Sequence, residues 1–416
     1  MMDLCAQSDI CGGCFYQGTA YAQQLALKEE EVLGYLREQH IRYGQFEGIE
    51  PAPEITAYRN KMEYTFGDFV KDGDMTLGLH KRRSFMSVLN TDDCMLVDKD
   101  FNLIRKSVLD FCIEQGYRHY NPKSHKGLLR NLIIRKGERT GELLVCLVTT
   151  VQEDFDEDAF TAMLLSLPLK GTIVGILHTF NDQIADKVTN EETRILYGRD
   201  YYNESIMGLH FQVHIFAFFQ TNISAVERLY REALDMIDDV TAKTVFDLYC
   251  GTGTITQTLA LKAQKAVGVE ISGDAVRSAR ENAALNGLMN CEFIEGDVLK
   301  VLDEIGDKPD VLVLDPPRAG IHYKVLPKLM KYGTEQILYI SCNPKTLAPN
   351  LAYMQEHAYR VERIKAYDNF PFTSHTETVA LLSNTQKKKE SYITLDVEMA
   401  DYYRIKKEGE NSSTDQ

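Results

Sequence analysis

Long apolar segments are missing from this chain of 416 residues. Its apolar runs, such as LLVCLV at 143–148, fall far short of the roughly 18–20 residues that span a bilayer. The N-terminus MMDLCAQSD is acidic and has neither the basic flank nor the apolar core of a signal peptide. With 44% hydrophobic and 26% charged residues, the composition is that of an ordinary globular chain. We therefore expect a soluble cytoplasmic protein with no membrane partner.

Positive charge is also in deficit. The chain has 46 Lys and Arg against 61 Asp and Glu, a formal net charge of -15. An overall field of this sign does not hold nucleic acid, so RNA or DNA would need a local basic surface. Candidate surfaces are Lys81–Arg83, Arg59 with Lys61, and residues 123–139, which contain six Lys or Arg against one Glu. Ordinary solvated faces carry similar runs, so both interpretations are open.

The spacing of apolar residues divides the chain into four regions. Residues 1–54 hold several cysteines and a long helix from Gln17 to about His40, and 55–205 consist mostly of short strands, which predicts a strand-rich α+β domain. Residues 206–384 alternate short apolar strands with helices, which predicts an α/β fold with a Rossmann-like, doubly wound parallel sheet. Its last two strands are expected to form an antiparallel hairpin at one edge. We interpret 385–416 as a charged surface appendage with a disordered end.

A glycine turn follows the first strand of the alternating region. In DLYCGTG (247–253), Gly251 and Gly253 allow a ligand to approach the backbone closely. A dinucleotide fingerprint needs a third glycine where this chain has Thr256, which disfavours a nicotinamide cofactor. Glu270 ends the next strand, where its carboxylate can accept both hydroxyls of a ribose, and Asp297 ends the third, within reach of an adenine. This pattern predicts S-adenosylmethionine as the cofactor, with a plain tight turn as the alternative.

Two further motifs supply reactive groups at the same edge of the sheet. Asp315 begins DPPR after the fourth strand, and Cys342 lies in SCNP after the fifth, where a helix start would stabilise a thiolate. A thiolate that adds to C6 of a pyrimidine makes C5 nucleophilic towards a sulfonium methyl group. A base must then remove the C5 proton, and Glu377 in HTETV is the best candidate. A small buried cysteine and a solvated glutamate are the bland alternatives.

These motifs, in the order FFQTN, DLYCGTG, VGVE, DPPR, SCNP and HTETV, resemble those of the RNA uracil-5-methyltransferase family. The family makes 5-methyluridine in 23S ribosomal RNA or in the T-loop of tRNA. The resemblance implies that Cys342 is the nucleophile and Glu377 the general base. It also implies a pocket for S-adenosylmethionine and uracil that is lined by Gln220, Tyr249, Glu270 and Asp315, and extended by Thr254 and Asp297. Many relatives have an N-terminal β-barrel that binds RNA; here we expect none, and assign RNA binding to residues 55–205.

A compact cysteine motif, Cys5-x5-Cys11-Gly-Gly-Cys14, opens the chain, and Cys94 is a plausible fourth ligand. Four thiolates suit a [4Fe–4S] cluster or structural zinc, and free thiols are a third possibility. The arrangement resembles the 23S rRNA branch of the family, which implies an iron–sulfur cluster and 23S rRNA as the substrate.

Several alternatives stay open on the sequence. The same chemistry could act on the tRNA T-loop, a cytosine C5 methyltransferase also uses a cysteine, and a non-catalytic iron–sulfur protein that binds RNA or senses redox state would retain the cysteines. No protein partner is evident, and we expect a monomer.

Overall fold

The computed structural model describes residues 5–183, 192–306 and 308–386. The described residues up to Asn384 belong to one compact unit. The appendage predicted at 385–416 therefore lies outside the described residues, apart from Thr385 and Gln386. In the part of the chain that is described, no helix is both long and apolar enough to cross a membrane.

The first half of the chain builds a seven-stranded sheet after an initial helix and strand. In chain order the elements are α1 (Tyr21–Glu38), β1 (Tyr43–Glu50), β2 (Lys61–Asp68), β3 (Met75–His80), β4 (Val88–Asn90), α2 (Lys99–Glu114), β5 (Leu129–Lys136), β6 (Glu142–Thr149), α3 (Glu157–Leu165), β7 (Thr172–Phe180) and β8 (Glu192–Gly198). The strand order is β4-β3-β2-β5-β6-β7-β8, and only the β6–β7 pair is parallel. Helices α2 and α3 cover one face.

The second half supplies a hairpin and most of an eight-stranded sheet. Its elements are β9 (Tyr201–Ile206), β10 (Leu209–His214), α4 (Ile223–Leu234), β11 (Thr244–Leu248), α5 (Thr254–Ala260), β12 (Lys265–Glu270), α6 (Gly273–Leu285), β13 (Cys291–Glu295), α7 (Val298–Glu304), β14 (Val311–Leu314), α8 (Leu326–Tyr332), β15 (Gln336–Ser341), α9 (Pro344–Glu356), β16 (Tyr359–Tyr367) and β17 (Glu377–Asn384). Ser272 caps the N-terminus of α6, since its hydroxyl accepts a hydrogen bond from the Ala275 amide at 3.4 Å.

The larger sheet has the order β1-β16-β17-β15-β14-β11-β12-β13, and the run from β15 to β13 is parallel. Because β11 lies between β14 and β12, the winding reverses at this point, and a crevice opens at the carboxyl ends of these strands. The closing strands β16 and β17 do pair antiparallel. They are not the edge of the sheet, however, because β1 pairs in parallel with β16 and takes that place.

Apolar layers on both faces of this sheet hold it in position. One core joins β11, β14 and β15 to α4, α5, the β9–β10 hairpin and the seven-stranded sheet. The other joins the opposite face to α1, α7, α8 and α9. Buried polar groups add to the first junction: the Arg135 guanidinium donates to the carbonyl oxygens of Ile215 (2.8 Å) and Ala217. The seven-stranded sheet is thereby tied to the segment that leads into α4.

Candidate active site

A cavity of about 1130 Å³ opens at the carboxyl ends of β11, β12, β14 and β15. It collects most of the predicted site residues from motifs that are far apart in the chain. Those that line it are Gln220, Tyr249, Gly251, Thr254, Glu270, Asp315, Cys342 and Glu377. The strand ends bring them together, because parallel strands all end at the same edge of the sheet.

The glycine turn has an unusual backbone. Tyr249, Gly251 and Gly253 have φ angles of 69°, 54° and 77°, in the left-handed region that disfavours side chains. A Cβ atom on Gly253 would lie 2.6 Å from the Phe293 ring, so this glycine is required by packing, and it does not line the cavity. Gly251 does line it. The turn therefore presents Gly251, which has no side chain, to the cavity.

Glu270 is held in place by the turn. One carboxylate oxygen accepts from the Gly251 amide at 3.1 Å and the other from the Ser272 amide at 2.9 Å. Each carboxylate oxygen can accept a further hydrogen bond, so two acceptors stay available towards the cavity. This orientation suits recognition of a vicinal diol such as a ribose.

Asp297, the predicted adenine contact, is placed differently. Its carboxylate accepts from the Leu299 amide at 2.9 Å and caps the N-terminus of α7, and it is exposed and does not line the cavity. It lies close enough to Tyr249 to add to the effect of burial, which raises the pKa of that phenol to about 12. Helix capping thus accounts for the residue without a ligand.

Three titratable groups face one another deeper in the cavity: Cys342, Asp315 and Glu377. Burial raises the pKa of Glu377 to about 7, against a lowering by Arg318, and burial together with Glu377 raises the pKa of Asp315 to about 8. For Cys342, burial and then Glu377 and Asp315 raise the pKa to about 11, while Arg318 opposes them. This direction is opposite to the one expected from the start of α9, and its causes are burial and two nearby carboxyl groups.

Three basic residues complete this group: Arg59 from a predicted basic surface, Arg318 from DPPR and His375 from HTETV. The Arg318 guanidinium donates to Nδ1 of His375 at 2.6 Å, and Arg59 reaches the cavity from the strand-rich region. Burial, followed by the positive charges of Arg318, Lys28 and Arg59, lowers the pKa of His375 to about 4. The imidazole is therefore neutral and able to accept. His375 precedes Glu377 by two residues, so the HTETV motif contained the only available signal.

The cysteine motif folds against Cys94. Cys14 and Cys94 pack in one apolar cluster, and burial, then Cys94, Cys11 and Cys5, raise the pKa of Cys14 to about 11. The Gly13 amide donates to Cys11 Sγ at 3.4 Å, and the Gln17 side chain donates to Cys14 Sγ at 3.8 Å. Nevertheless, across the described ranges no three His, Cys, Asp or Glu side chains are close enough to hold a metal ion. The donor types suit a four-thiolate centre, whereas their present spacing does not form one.

Most Lys and Arg side chains of the basic segment at 123–139 form hydrogen bonds or ion pairs with other residues of the protein. Arg130 and Arg135 are buried; Arg130 donates to the carbonyl oxygens of Asn181 and Gln183, and Arg135 to those of Ile215 and Ala217. Lys136 pairs with Asp98 and Asp100, and Arg139 with Glu227. The reason is that β5 is a central strand, buried on both faces. Arg130, Arg135 and Lys136 are therefore not free for phosphate contacts, whereas Lys123, Lys126 and Lys81–Arg83 stay exposed.

The sheet order, the glycine turn after its first parallel strand and the acidic residue at the end of the second define an S-adenosylmethionine-dependent methyltransferase. A family model described as tRNA (Uracil-5-)-methyltransferase matches residues 299–385, and one described as Methyltransferase small domain matches 213–338. The chain belongs to the RNA uracil-5-methyltransferase family. It is an RNA (uracil-5-)-methyltransferase by this membership.

Similar proteins match nearly the whole chain. An uncharacterized RNA methyltransferase of Clostridium acetobutylicum is 47% identical over 91% of this chain and 83% of its own length. Another, of Caldanaerobacter subterraneus subsp. tengcongensis, is 44% identical over 92% of this chain and 84% of its own. The crystal structure of Pyrococcus abyssi tRNA (uracil-54, C5)-methyltransferase with S-adenosyl-L-homocysteine is 26% identical, with a TM-score of 0.72 over 89% of this chain and 85% of that one.

Proposed function

We propose that this enzyme transfers a methyl group from S-adenosylmethionine to C5 of a uridine in RNA, with Cys342 as the nucleophile and Glu377 as the base. The observation that carries the proposal is the single cavity in which Cys342, Asp315 and Glu377 face one another beside the glycine turn and Glu270. The test is incubation of the protein with RNA and methyl-labelled S-adenosylmethionine, followed by nuclease digestion and mass spectrometry for 5-methyluridine. Label in any other nucleoside would contradict it.

The chemistry requires four groups of this chain. Cys342 gives its proton to solvent as its sulfur bonds to C6 of uracil, so that the C5–C6 π electrons move towards C5 and the O4 oxygen. S-Adenosylmethionine supplies the sulfonium methyl group that C5 takes, and S-adenosylhomocysteine leaves with the electrons of the broken S–CH3 bond. Glu377 then removes the C5 proton, the C5–C6 double bond re-forms, and the thiolate leaves. Arg318 favours the thiolate, and Asp315, with a pKa raised to about 8, keeps the proton it needs to donate to a uracil carbonyl oxygen.

The RNA must present an unstacked base. The target uracil has to leave its stack to reach a cavity of this depth, which favours loops and single strands. We propose 23S ribosomal RNA because of the cysteine motif, with residues 55–205 contributing contacts through Arg59 and the exposed Lys81–Arg83. The tRNA T-loop is the second candidate, because the archaeal structure described above is a tRNA (uracil-54, C5)-methyltransferase. Parallel assays on transcripts of both RNAs distinguish them.

Glu270 is expected to carry much of the affinity for S-adenosylmethionine. Replacing it by alanine removes both acceptors that face the cavity, and hydrogen bonds to a charged group contribute about 1.5–3 kcal/mol each, so affinity should fall by at least about 100-fold. Isothermal calorimetry measures this. Glu292→Ala is a matched control, since that carboxylate pairs with Lys265 outside the cavity. Equal affinities in the two variants would remove Glu270 from the binding site.

The pH dependence of turnover is expected to report Glu377. A base must be unprotonated, and burial raises the pKa of Glu377 to about 7, so single-turnover formation of 5-methyluridine should fall more steeply below that pH than above it. The control is the formation of a covalent complex between the enzyme and RNA that contains 5-fluorouridine, here called capture. Fluorine at C5 leaves no proton to remove, so capture does not depend on the base. Capture should show no break near pH 7, since it requires the Cys342 thiolate, whose pKa is raised to about 11, and the protonated Asp315, whose pKa is raised to about 8. A break near pH 7 in both reactions would contradict the assignment.

We also propose that Cys5, Cys11, Cys14 and Cys94 hold a [4Fe–4S] cluster. The support is their clustering and the donors directed at Cys11 and Cys14. Protein purified without oxygen should contain iron and sulfide and absorb broadly near about 400 nm. Zinc in place of iron, or fully titratable thiols, would contradict the proposal.

A further inference from the structure

Helix α1 carries two polar side chains on its buried face. The buried positions are Gln24, Lys28, Val32 and Leu36, which follow one another at intervals of four residues and so lie on one side of the helix. Lys28 is completely buried. A buried ammonium group is costly unless all of its protons are bonded, so its surroundings are expected to be specific.

All three donors of Lys28 point at one loop. Its Nζ atom lies 2.5 Å from Asp368 Oδ1, 2.9 Å from the carbonyl oxygen of His375 and 3.2 Å from that of Phe370. Asp368 is also fully buried. These acceptors belong to residues 368–376, the connection between β16 and β17. Lys28 therefore fixes this connection at its beginning and its end.

The same connection leads directly into the proposed catalytic group. His375 accepts from Arg318 through its ring, while its carbonyl oxygen accepts from Lys28. Glu377 follows two residues later as the first residue of β17. Since Arg318 lowers the pKa of both Cys342 and Glu377, the position of the His375 backbone determines where that positive charge lies.

Other contacts hold the middle of the connection, so it is fixed along its length. Gln24 accepts from the Phe372 amide at 3.0 Å, and the Phe372 carbonyl accepts from the amides of Phe15 and Tyr16. Tyr58 donates to the Pro371 carbonyl at 2.9 Å. Phe372 has a φ of 66°, a left-handed conformation that persists only where the surroundings enforce it. The N-terminal segment thus adds to the hydrogen bonds within the connection, such as that from the Thr373 hydroxyl to the Phe370 carbonyl.

We propose that Lys28 is a positioning residue for the methyl transfer proposed above, on which this inference rests: by binding the carbonyl oxygens of Phe370 and His375, it places His375, and through it Arg318, against Cys342 and Glu377. Its pairing with Asp368 neutralises both buried charges. The two carbonyl contacts are the part that acts on the site. A role in positioning and a role in stability can therefore be separated by substitution.

Two variants make the separation. Lys28→Met leaves Asp368 buried without a partner, so the midpoint of thermal unfolding should fall clearly. Lys28→Met combined with Asp368→Leu removes both charges, and replacing a buried ion pair by apolar groups of similar size should restore much of that midpoint. Neither variant keeps the contacts to Phe370 and His375. Lys365→Met is the matched control, because Lys365 pairs with Glu50 and Glu232 away from the cavity.

The readouts are chosen so that unfolding cannot imitate the effect. Single-turnover rates are expressed per site that binds S-adenosylmethionine in calorimetry, so misfolded protein is not counted. We expect both Lys28 variants to react about 10- to 100-fold more slowly, as a displaced catalytic group would. S-Adenosylmethionine affinity should change by less than about threefold, because Glu270 and the glycine turn are untouched. The break in the pH profile should move above 7, because Arg318 no longer favours the Glu377 carboxylate.

The outcomes distinguish this inference from the proposed function. If wild type makes no 5-methyluridine, the function is wrong and Lys28 is not at issue. If wild type is active and the double variant matches the Lys365→Met control in rate per site and in the pH of its break, the positioning role is overturned. A slow double variant with an unshifted break would also overturn it, because a general loss of order does not depend on Arg318.

Discussion

Alanine in place of Cys342 is expected to reduce methyl transfer by at least about 10⁴-fold, the size of effect seen when a covalent nucleophile is removed. Without a bond from sulfur to C6, C5 of uracil has too little electron density to attack a sulfonium methyl group. S-Adenosylmethionine should still bind, since Cys342 lies on β15's side of the cavity and Glu270 on that of β12. The measurements are the rate of 5-methyluridine formation and the calorimetric affinity.

The matched control is Cys250→Ala, because Cys250 is the other cysteine that lines the cavity within the described residues. It is buried, and burial, then Asp247 and Glu270, raise its pKa well above the usual value. Its sulfur lies 2.8 Å from where a Cβ atom of Gly268 would be, so it fills space between strands. Cys250→Ala should retain capture of 5-fluorouridine RNA, whereas Cys342→Ala should lose it. The reverse result would move the nucleophile to Cys250.

The sequence predicted the active-site edge well because each motif follows a short apolar strand. DLYCGTG, VGVE, DPPR and SCNP end β11, β12, β14 and β15. In a parallel sheet these ends are adjacent whatever the lengths of the connections. The positions of the motifs along the chain therefore predict which residues meet at the cavity, including Glu270 beside the glycine turn.

Features that depend on distant packing could not be predicted in the same way. Strand β1 has no alternation of buried and exposed residues, and its sequence YGQFEGIE does not predict a strand. Only its pairing with β16 defines it. From the sequence, Arg130 and Arg135 look like surface charges, but they lie in a buried central strand. Lys28 looks like a surface residue of an amphipathic helix, and only the connection at 368–376, some 340 residues away, explains its burial.

The pKa of Cys342 shows how local reasoning can fail. The start of α9 is a nearby positive end, and in isolation it favours a thiolate. The fold adds burial and two carboxyl groups from other segments, Asp315 at the end of β14 and Glu377 at the start of β17, and together these dominate. The fold without a substrate therefore favours the neutral thiol of Cys342.

Glutamine in place of Glu377 is expected to trap the reaction after methyl transfer. At that stage C5 carries both the new methyl group and its original proton, and the bond from Cys342 to C6 cannot break until the proton leaves. Glutamine fills the same space but accepts no proton, so turnover should fall by about 10²- to 10⁴-fold. A covalent complex of protein, RNA and labelled methyl group should accumulate and survive denaturing electrophoresis.

Glu281→Gln is the matched control, since Glu281 is an exposed carboxylate of α6 that lines the same cavity on the side of Glu270. It should turn over without a stable complex. The methyl label in the trapped species is decisive, because it places the block after C5 has been alkylated. A Glu377→Gln variant that forms neither product nor complex would instead assign Glu377 to removal of the thiol proton. A variant that turns over at the wild-type rate would leave Asp315 as the base, because it is the other carboxyl group beside Cys342 whose pKa is raised.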